Sequence, residues 1–200
     1  MHSPELESFL ADTLQIPLGT AHHYAKDLRA AKILSVGKQG PYGGAVMTET
    51  DCVNALLAGV IDHKYGGDGV AENVRSMRKL PAEKGPVQWP ANFTNGLTCF
   101  GADNAGAALE SILRDIRHER LAMWAAGDPW RLSVTIESRG GSVFVSLTKT
   151  AMRHETDTRS AIHGFARPGY DNRPRLVERN VTIGGDVFLQ LAAKLGPPDG

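Results

Sequence analysis

Trp130, Leu132, Val134 and Ile136 alternate with Arg131, Ser133, Thr135 and Glu137; Arg139-Gly140-Gly141-Ser142 then supplies a turn, and Val143, Val145 and Leu147 alternate back. A period of two puts every apolar side chain on one face of an extended ribbon, so this stretch predicts a β-hairpin with one face to be covered. Cover is available on both sides. Before the hairpin, Asp103 can cap a helix running to Gly127, about 24 residues or about 36 Å at 1.5 Å per residue. Its apolar stripe is Leu109, Ile112, Leu113, Ile116, Met123 and Trp124, and Gly127-Asp128-Pro129 stops it. After the hairpin, the arginine- and histidine-rich stretch Met152 to Arg175 reads as a solvated loop, and Leu176 to Ile183 as a third strand. Asp186 then caps a last helix with the face Val187, Phe188, Leu191, Ala192 and Leu195, ended by Gly196-Pro197-Pro198.

The N-terminal sixty residues read as helix, turn, helix, glycine-rich loop, helix. Ser3 can cap a first helix with Pro4 in its opening turn, and Leu6, Phe9, Leu10 and Leu14 follow on one face. Pro17 ends that helix. Thr20 can cap a second, on which Ala21, Tyr24, Ala25, Leu28, Ala31 and Leu34 make the apolar stripe, while His22, His23, Lys26, Arg29 and Lys32 face away. Ser35 to Gly44 is too rich in glycine for a helix and reads as a hairpin-like loop. A third helix opens at Thr48 or Thr50 and buries Val53, Leu56, Leu57, Val60 and Ile61. The expected organisation is a helical module over 1–62, a glycine- and proline-punctuated linker over 63–102 in which only Val70 to Leu80 has helical spacing, and an α-β-β-β-α module over 103–200. The fold class is therefore α+β.

The spacing Leu10-Ala11, Leu14, Ile16-Pro17, Thr20, Tyr24, Leu28, Ala31, Leu34, Gly37, Gly40, Tyr42, Thr48 resembles the helix-turn-helix and wing of bacterial winged-helix regulators over about 40 of the 200 residues. That resemblance implies a second helix that enters the major groove and a glycine-tipped wing along the backbone or minor groove. Duplex-DNA contacts would then fall to Thr20, His22 and His23 at the helix start, to Lys26, Arg29 and Lys32 further on, and to Lys38, Gln39 and Tyr42 on the wing. Two departures stand out. The family usually carries another helix before the Leu10–Leu14 one, and Gly19 occupies a place where a capping serine is more usual. More loosely, the arrangement also resembles proteins encoded in proteobacterial prophages.

Charge agrees with where such contacts would lie. The chain as a whole is neutral, with 22 basic and 22 acidic residues, but residues 20–40 hold Lys26, Arg29, Lys32 and Lys38 against Asp27 alone. Residues 131–183 hold nine bases against five acids, and all of these bases except Lys149 are arginines. Arg153, Arg159, Arg167, Arg173 and Arg175 form a candidate second anion surface, since a guanidinium is the better fork for phosphate.

Several function classes are disfavoured. Cys52 and Cys99 form no Cys-x-x-Cys pair and no disulfide framework, and His154, Asp157 and His163 fit no ligand spacing with a stated mechanism, so neither a metal nor a cofactor is expected. The longest apolar run, Ala55 to Ile61, is far short of the roughly 20 residues a membrane span needs, and Met1 to Glu5 lacks the basic start of a signal peptide. The expectation is a cytoplasmic, homo-oligomeric, non-enzymatic regulator that binds duplex DNA, of bacterial or phage origin. The alternatives are a phage DNA-packaging protein similar to a small terminase, whose Asp103–Gly127 helix would build a ring, and a metal-dependent nuclease using the arginine-histidine stretch.

Overall fold

Pro17 sets the geometry of the N-terminal helices, because a proline offers no N–H and restrains the residue before it. The computed structural model describes residues 1–37, 45–61, 69–83, 98–118, 130–137, 142–149, 160–166 and 180–197. Helix α1 (Ser3–Leu14) precedes the proline and α2 (Leu18–Ala30) follows it. α1 closes on Gln15, left-handed at φ 52°, as the Ile16 amide returns to the Ala11 carbonyl at 3.1 Å. Its N-cap is His2 rather than Ser3: the His2 amide donates to Glu5 Oε2 at 2.7 Å, while the Ser3 hydroxyl turns to Glu7 Oε1 at 3.0 Å.

α2 differs from expectation at both ends. The Pro17 carbonyl accepts from the amides of Thr20 and Ala21 at 2.8 and 3.1 Å, so Pro17 is the N-cap and Thr20 lies within the first turn. At the other end Lys32 takes φ 58°, and the amides of Ile33 and Lys32 bond the carbonyls of Leu28 and Arg29, both at 3.0 Å. That double closure is a Schellman motif, with a lysine where glycine is usual. Lys32 and Leu34 therefore follow the helix instead of belonging to it.

Helix α3 (Glu49–Val60) opens at Thr48, the first of the two expected positions. Thr48 Oγ1 accepts from the Asp51 amide at 3.2 Å and Asp51 Oδ2 accepts from the Thr48 amide at 2.8 Å, a reciprocal capping box. Asp51 Oδ1 also accepts from the Ser35 amide at 2.8 Å, which ties the chain leaving α2 to the start of α3. Just before α3, Val46 bridges His2, and the Met47 amide donates to the Met1 carbonyl at 3.0 Å.

The stretch read as a linker contributes α4 (Gly69–Arg78) and a 3-10 turn at Thr98–Gly101. Val70, Val74, Met77, Leu80 and Cys99 are buried in the same cluster as the first three helices. Glycine and proline mark the ends of this segment, but the apolar spacing between Val70 and Leu80 decides where it goes. Helix α5 (Ala105–Arg117) is capped by Asn104, whose Oδ1 accepts from the Ala107 amide at 2.9 Å, and not by Asp103. Residues 119–129, which include Met123 and Trp124 of the expected longer helix, lie outside the described residues. Its buried stripe of Leu109, Ile112, Leu113 and Ile116 packs mainly on α3, α4, the 3-10 turn and α6 (Gly185–Leu195). The expected hairpin contact is therefore indirect: α6 is the element lying on the sheet.

The sheet has four antiparallel strands, β1 (Trp130–Glu137), β2 (Ser142–Lys149), β3 (Ser160–Ala166) and β4 (Asn180–Gly184), in the order β3-β2-β1-β4. The hairpin is as expected, with Val134 opposite Val145 and Ile136 opposite Val143. β3 is a correction, since it lies inside the stretch read as a loop. Its register sets Phe165 opposite Val143, and Phe165 is fully buried. After α4, Ala82 bridges Phe165 and the Glu83 amide donates to the Gly164 carbonyl at 2.8 Å, so the chain between the helices and the sheet runs along the edge of β3. β4 begins at Asn180 and passes directly into α6, whose N-cap is Gly184, with Asp186 in the first turn rather than at the cap. Among the described residues the fold is α+β, six helices and one antiparallel sheet around a buried cluster that runs from Leu6 to Ala192.

Candidate nucleic-acid interface

A helix that meets a ligand with one face needs a firm hold on the other. α2 buries Ala21, Ala25 and Leu28 against α1 and α3. Between α1 and α2 sits a polar clasp. Glu7, 8% exposed, takes hydrogen bonds from the Ser3 hydroxyl at 3.0 Å and from Arg29, and meets His22 Nδ1 at 2.9 Å. Arg29 also donates to Ser3 Oγ. Burial raises the cost of charge on Glu7, but the bonds from His22, Arg29 and Ser3 outweigh it and hold the carboxyl below its ordinary value.

Glu49 is held low in the same way. Burial acts against its charge and is outweighed by its own backbone amide and by Arg117, which also donates to the Gly196 carbonyl at 2.8 Å. A carboxylate whose folded value is depressed stabilises the fold above its unfolded value and loses that contribution as pH falls through the folded one. Urea midpoints should therefore hold steady from neutral pH down to about the ordinary 4.5 of these groups and fall below it. Glu7→Gln should flatten that fall, and an unchanged acid limb would show that the clasp contributes nothing.

The solvent-facing side of α2 carries Gly19, His22, His23, Lys26 and Ala30, all exposed. The side chains of His22 and His23 keep 64% and 65% of their exposure. His22 leans to Glu7, and His23 Nε2 lies 3.5 Å from Asp27 one turn on. Among the described residues Lys26 is in no ion pair. The residues expected to form one DNA-facing set therefore divide. His22, His23 and Lys26 share an exposed face, Thr20 is half-buried in the first turn, and Lys32 is exposed just beyond the helix. Arg29, expected at phosphates, turns instead into the clasp. Lys38, Gln39 and Tyr42 lie outside the described residues, as do Arg153, Arg159, Arg167, Arg173 and Arg175.

A further cationic group stands near the end of α2. Arg75 and Arg78 on α4, with Lys79 just beyond it, stand beside Lys32 across from the end of α2. Their signal in the sequence is three cations within five residues, in a segment whose glycines and prolines read as a linker.

Other chemistries find little to build on. Among the described residues no three His, Cys, Asp or Glu side chains gather as metal ligands. Cys52 and Cys99 are both buried. Burial, reinforced by the charge of Asp51, pushes the Cys52 thiol up to about 12, and burial with Asp115 raises that of Cys99, so neither is a ready nucleophile. Among the described residues no helix is long and apolar enough to cross a membrane. No protein-family model, curated protein or solved structure matches the chain.

Proposed function

We propose that this chain binds duplex DNA through the exposed face of α2, as a regulator that acts by occupying its site. The observation that carries this reading is the pairing of a firmly backed helix with an exposed polar face: the Glu7–Arg29–Ser3 clasp, which His22 also joins, anchors one side, while His23 and Lys26 stand away from it and Lys26, among the described residues, is a cation in no ion pair. Thirteen residues give α2 a length of about 20 Å. A helix of that size enters a major groove about 12 Å wide. Small residues at Gly19 and Ala30 flank the polar ones on the same face, which lets the helix backbone come close to a groove wall.

Phosphate-holding and base-reading residues should separate under substitution. Lys26→Ala is expected to weaken binding to every duplex about equally and to flatten the slope of log affinity against log salt by roughly one. His23→Ala, if its ring meets a base edge, should cost roughly 1 to 3 kcal/mol on the preferred site alone. Arg29→Ala should instead lower stability, by about 1 to 3 kcal/mol for leaving Glu7 without its charged partner, and change affinity only through the fold. Equilibrium titrations with preferred and scrambled duplexes, alongside urea unfolding, separate the three outcomes. Equal affinity for wild type, Lys26→Ala and His23→Ala would remove α2 from the interface.

Regulation through paired half-sites calls for a homo-oligomer, and a dimer by light scattering is the expected mass. An octamer or larger would favour DNA packaging. The buried stripe of α5 argues for the smaller assembly, because Leu109, Ile112, Leu113 and Ile116 are already covered within the chain and leave that face unavailable for building a ring.

A further inference from the structure

A cleft of about 410 Å³ opens where the end of α2, the start of α3 and α4 meet. Its walls carry four cations, Lys32, Arg75, Arg78 and Lys79, together with Thr48 and Thr50, whose hydroxyls donate to Asp51 Oδ2 at 2.8 Å and to Glu110 Oε1 at 2.9 Å. One carboxylate lines it, that of Asp51, and both of its oxygens are occupied by the Ser35 and Thr48 amides at 2.8 Å. The two arginines are held in place from behind. Arg75 Nη2 donates to the Ala31 carbonyl at 2.8 Å and its Nη1 lies 3.3 Å from Glu72, while Arg78 donates to Asn54 Oδ1 at 2.9 Å and pairs with Glu110. Neither Glu72 nor Glu110 lines the cleft. Lys32 and Lys79 are exposed at its edge and, among the described residues, in no ion pair.

The backbone that closes α2 fixes where one of these cations stands. Lys32 sits at φ 58°, a left-handed conformation that glycine adopts freely and a lysine adopts at a cost. A strained non-glycine residue at the mouth of a cleft is a pointer to function when its side chain supplies something that glycine lacks. Here that something is a positive charge. Fixed guanidinium forks flanked by exposed ammonium groups suit a doubly charged, many-acceptor anion better than a single carboxylate.

We propose that this cleft is a phosphate-binding site. The source of the phosphate rests on the DNA reading: with α2 in a groove, a backbone phosphate flanking the site would reach Lys32 and Lys79, and α4 would widen the footprint beyond the helix-turn-helix. A free phosphate ester is the other source of the same chemistry.

The test uses the full chain with two probes, pyrophosphate by calorimetry and a duplex by fluorescence anisotropy. The variants are Lys79→Gln, on the surface, and Lys32→Gly, which relieves the left-handed backbone so that weaker binding cannot be blamed on a strained fold; Lys26→Ala is the control. Each cleft variant should weaken pyrophosphate binding roughly tenfold, the scale of one charged hydrogen bond, or flatten the salt slope of DNA binding by about one, while Lys26→Ala leaves pyrophosphate affinity unchanged. Loss confined to pyrophosphate identifies a free phosphate ester, and loss confined to DNA identifies a backbone phosphate. Wild type that binds pyrophosphate but no duplex defeats the DNA reading and leaves the cleft standing. Unchanged affinity of Lys79→Gln and Lys32→Gly for both probes, or wild type that binds neither, overturns the proposal.

Discussion

Replacing Ile112 by aspartate is expected to abolish cooperative folding of the helices and the sheet together. Ile112 is fully buried on α5, in the one cluster that joins the N-terminal helices to α6 and, through it, to the strands. Burying an unpaired carboxylate costs several kcal/mol, comparable to the whole stability of a domain at about 5 to 15 kcal/mol. Ile112→Val removes one methyl from the same site and should cost only about 0.5 to 1.5 kcal/mol. Urea unfolding followed by circular dichroism distinguishes them, with mass by light scattering in parallel. Ile112→Asp with intact stability and altered mass would make α5 an assembly surface and revive the packaging alternative.

Asp51→Ala should be the most damaging change to a polar side chain near the interface, about 2 to 4 kcal/mol. Asp51 is 3% exposed and accepts the Ser35 amide, the Thr48 amide and the Thr48 hydroxyl, each at 2.8 Å. Alanine leaves two backbone donors without their acceptor, at roughly 1 to 3 kcal/mol each when buried, and removes half of the α3 capping box. Asp51→Asn keeps one acceptor oxygen and should lose about half as much. A midpoint unmoved by Asp51→Ala would show that water replaces the carboxylate at both amides.

What the sequence made legible follows from which signals are local. The hairpin was readable as two paired strands because alternation and a glycine turn both lie within twenty residues, and α3 was readable to within two residues because Thr48, its N-cap, was one of the two openings expected. The failures are of two kinds. At two helix ends the side chain expected to cap lost to backbone geometry, since Pro17 opens α2 before Thr20 and Gly184 precedes Asp186, while α5 is capped by the side chain of Asn104, an equally good cap one residue beyond Asp103. In the middle of the chain, composition misled. Ser160-Ala-Ile-His-Gly-Phe-Ala166 has too few β-branched residues to announce a strand and lies among arginines, yet it adds to the edge of β2, whose open backbone groups accept a neighbour whatever its side chains. Arg29 shows the limit for a site. Its helical spacing put it with Lys26, but a partner 22 residues away on α1 decides which way a long side chain turns. No spacing along α2 records that.

The most direct measurement is a titration of the full chain with random-sequence duplex DNA from about 50 to 200 mM salt, with and without Mg²⁺. Binding is expected to be saturable at low salt and independent of Mg²⁺, without strand cleavage, and log affinity should fall against log salt with a slope of roughly −3 to −4, as three or four phosphates are neutralised. Lys26→Ala should reduce that slope by about one. No binding at the lowest salt, or binding whose salt slope is indifferent to Lys26, would contradict the assignment of α2 as a DNA-docking helix.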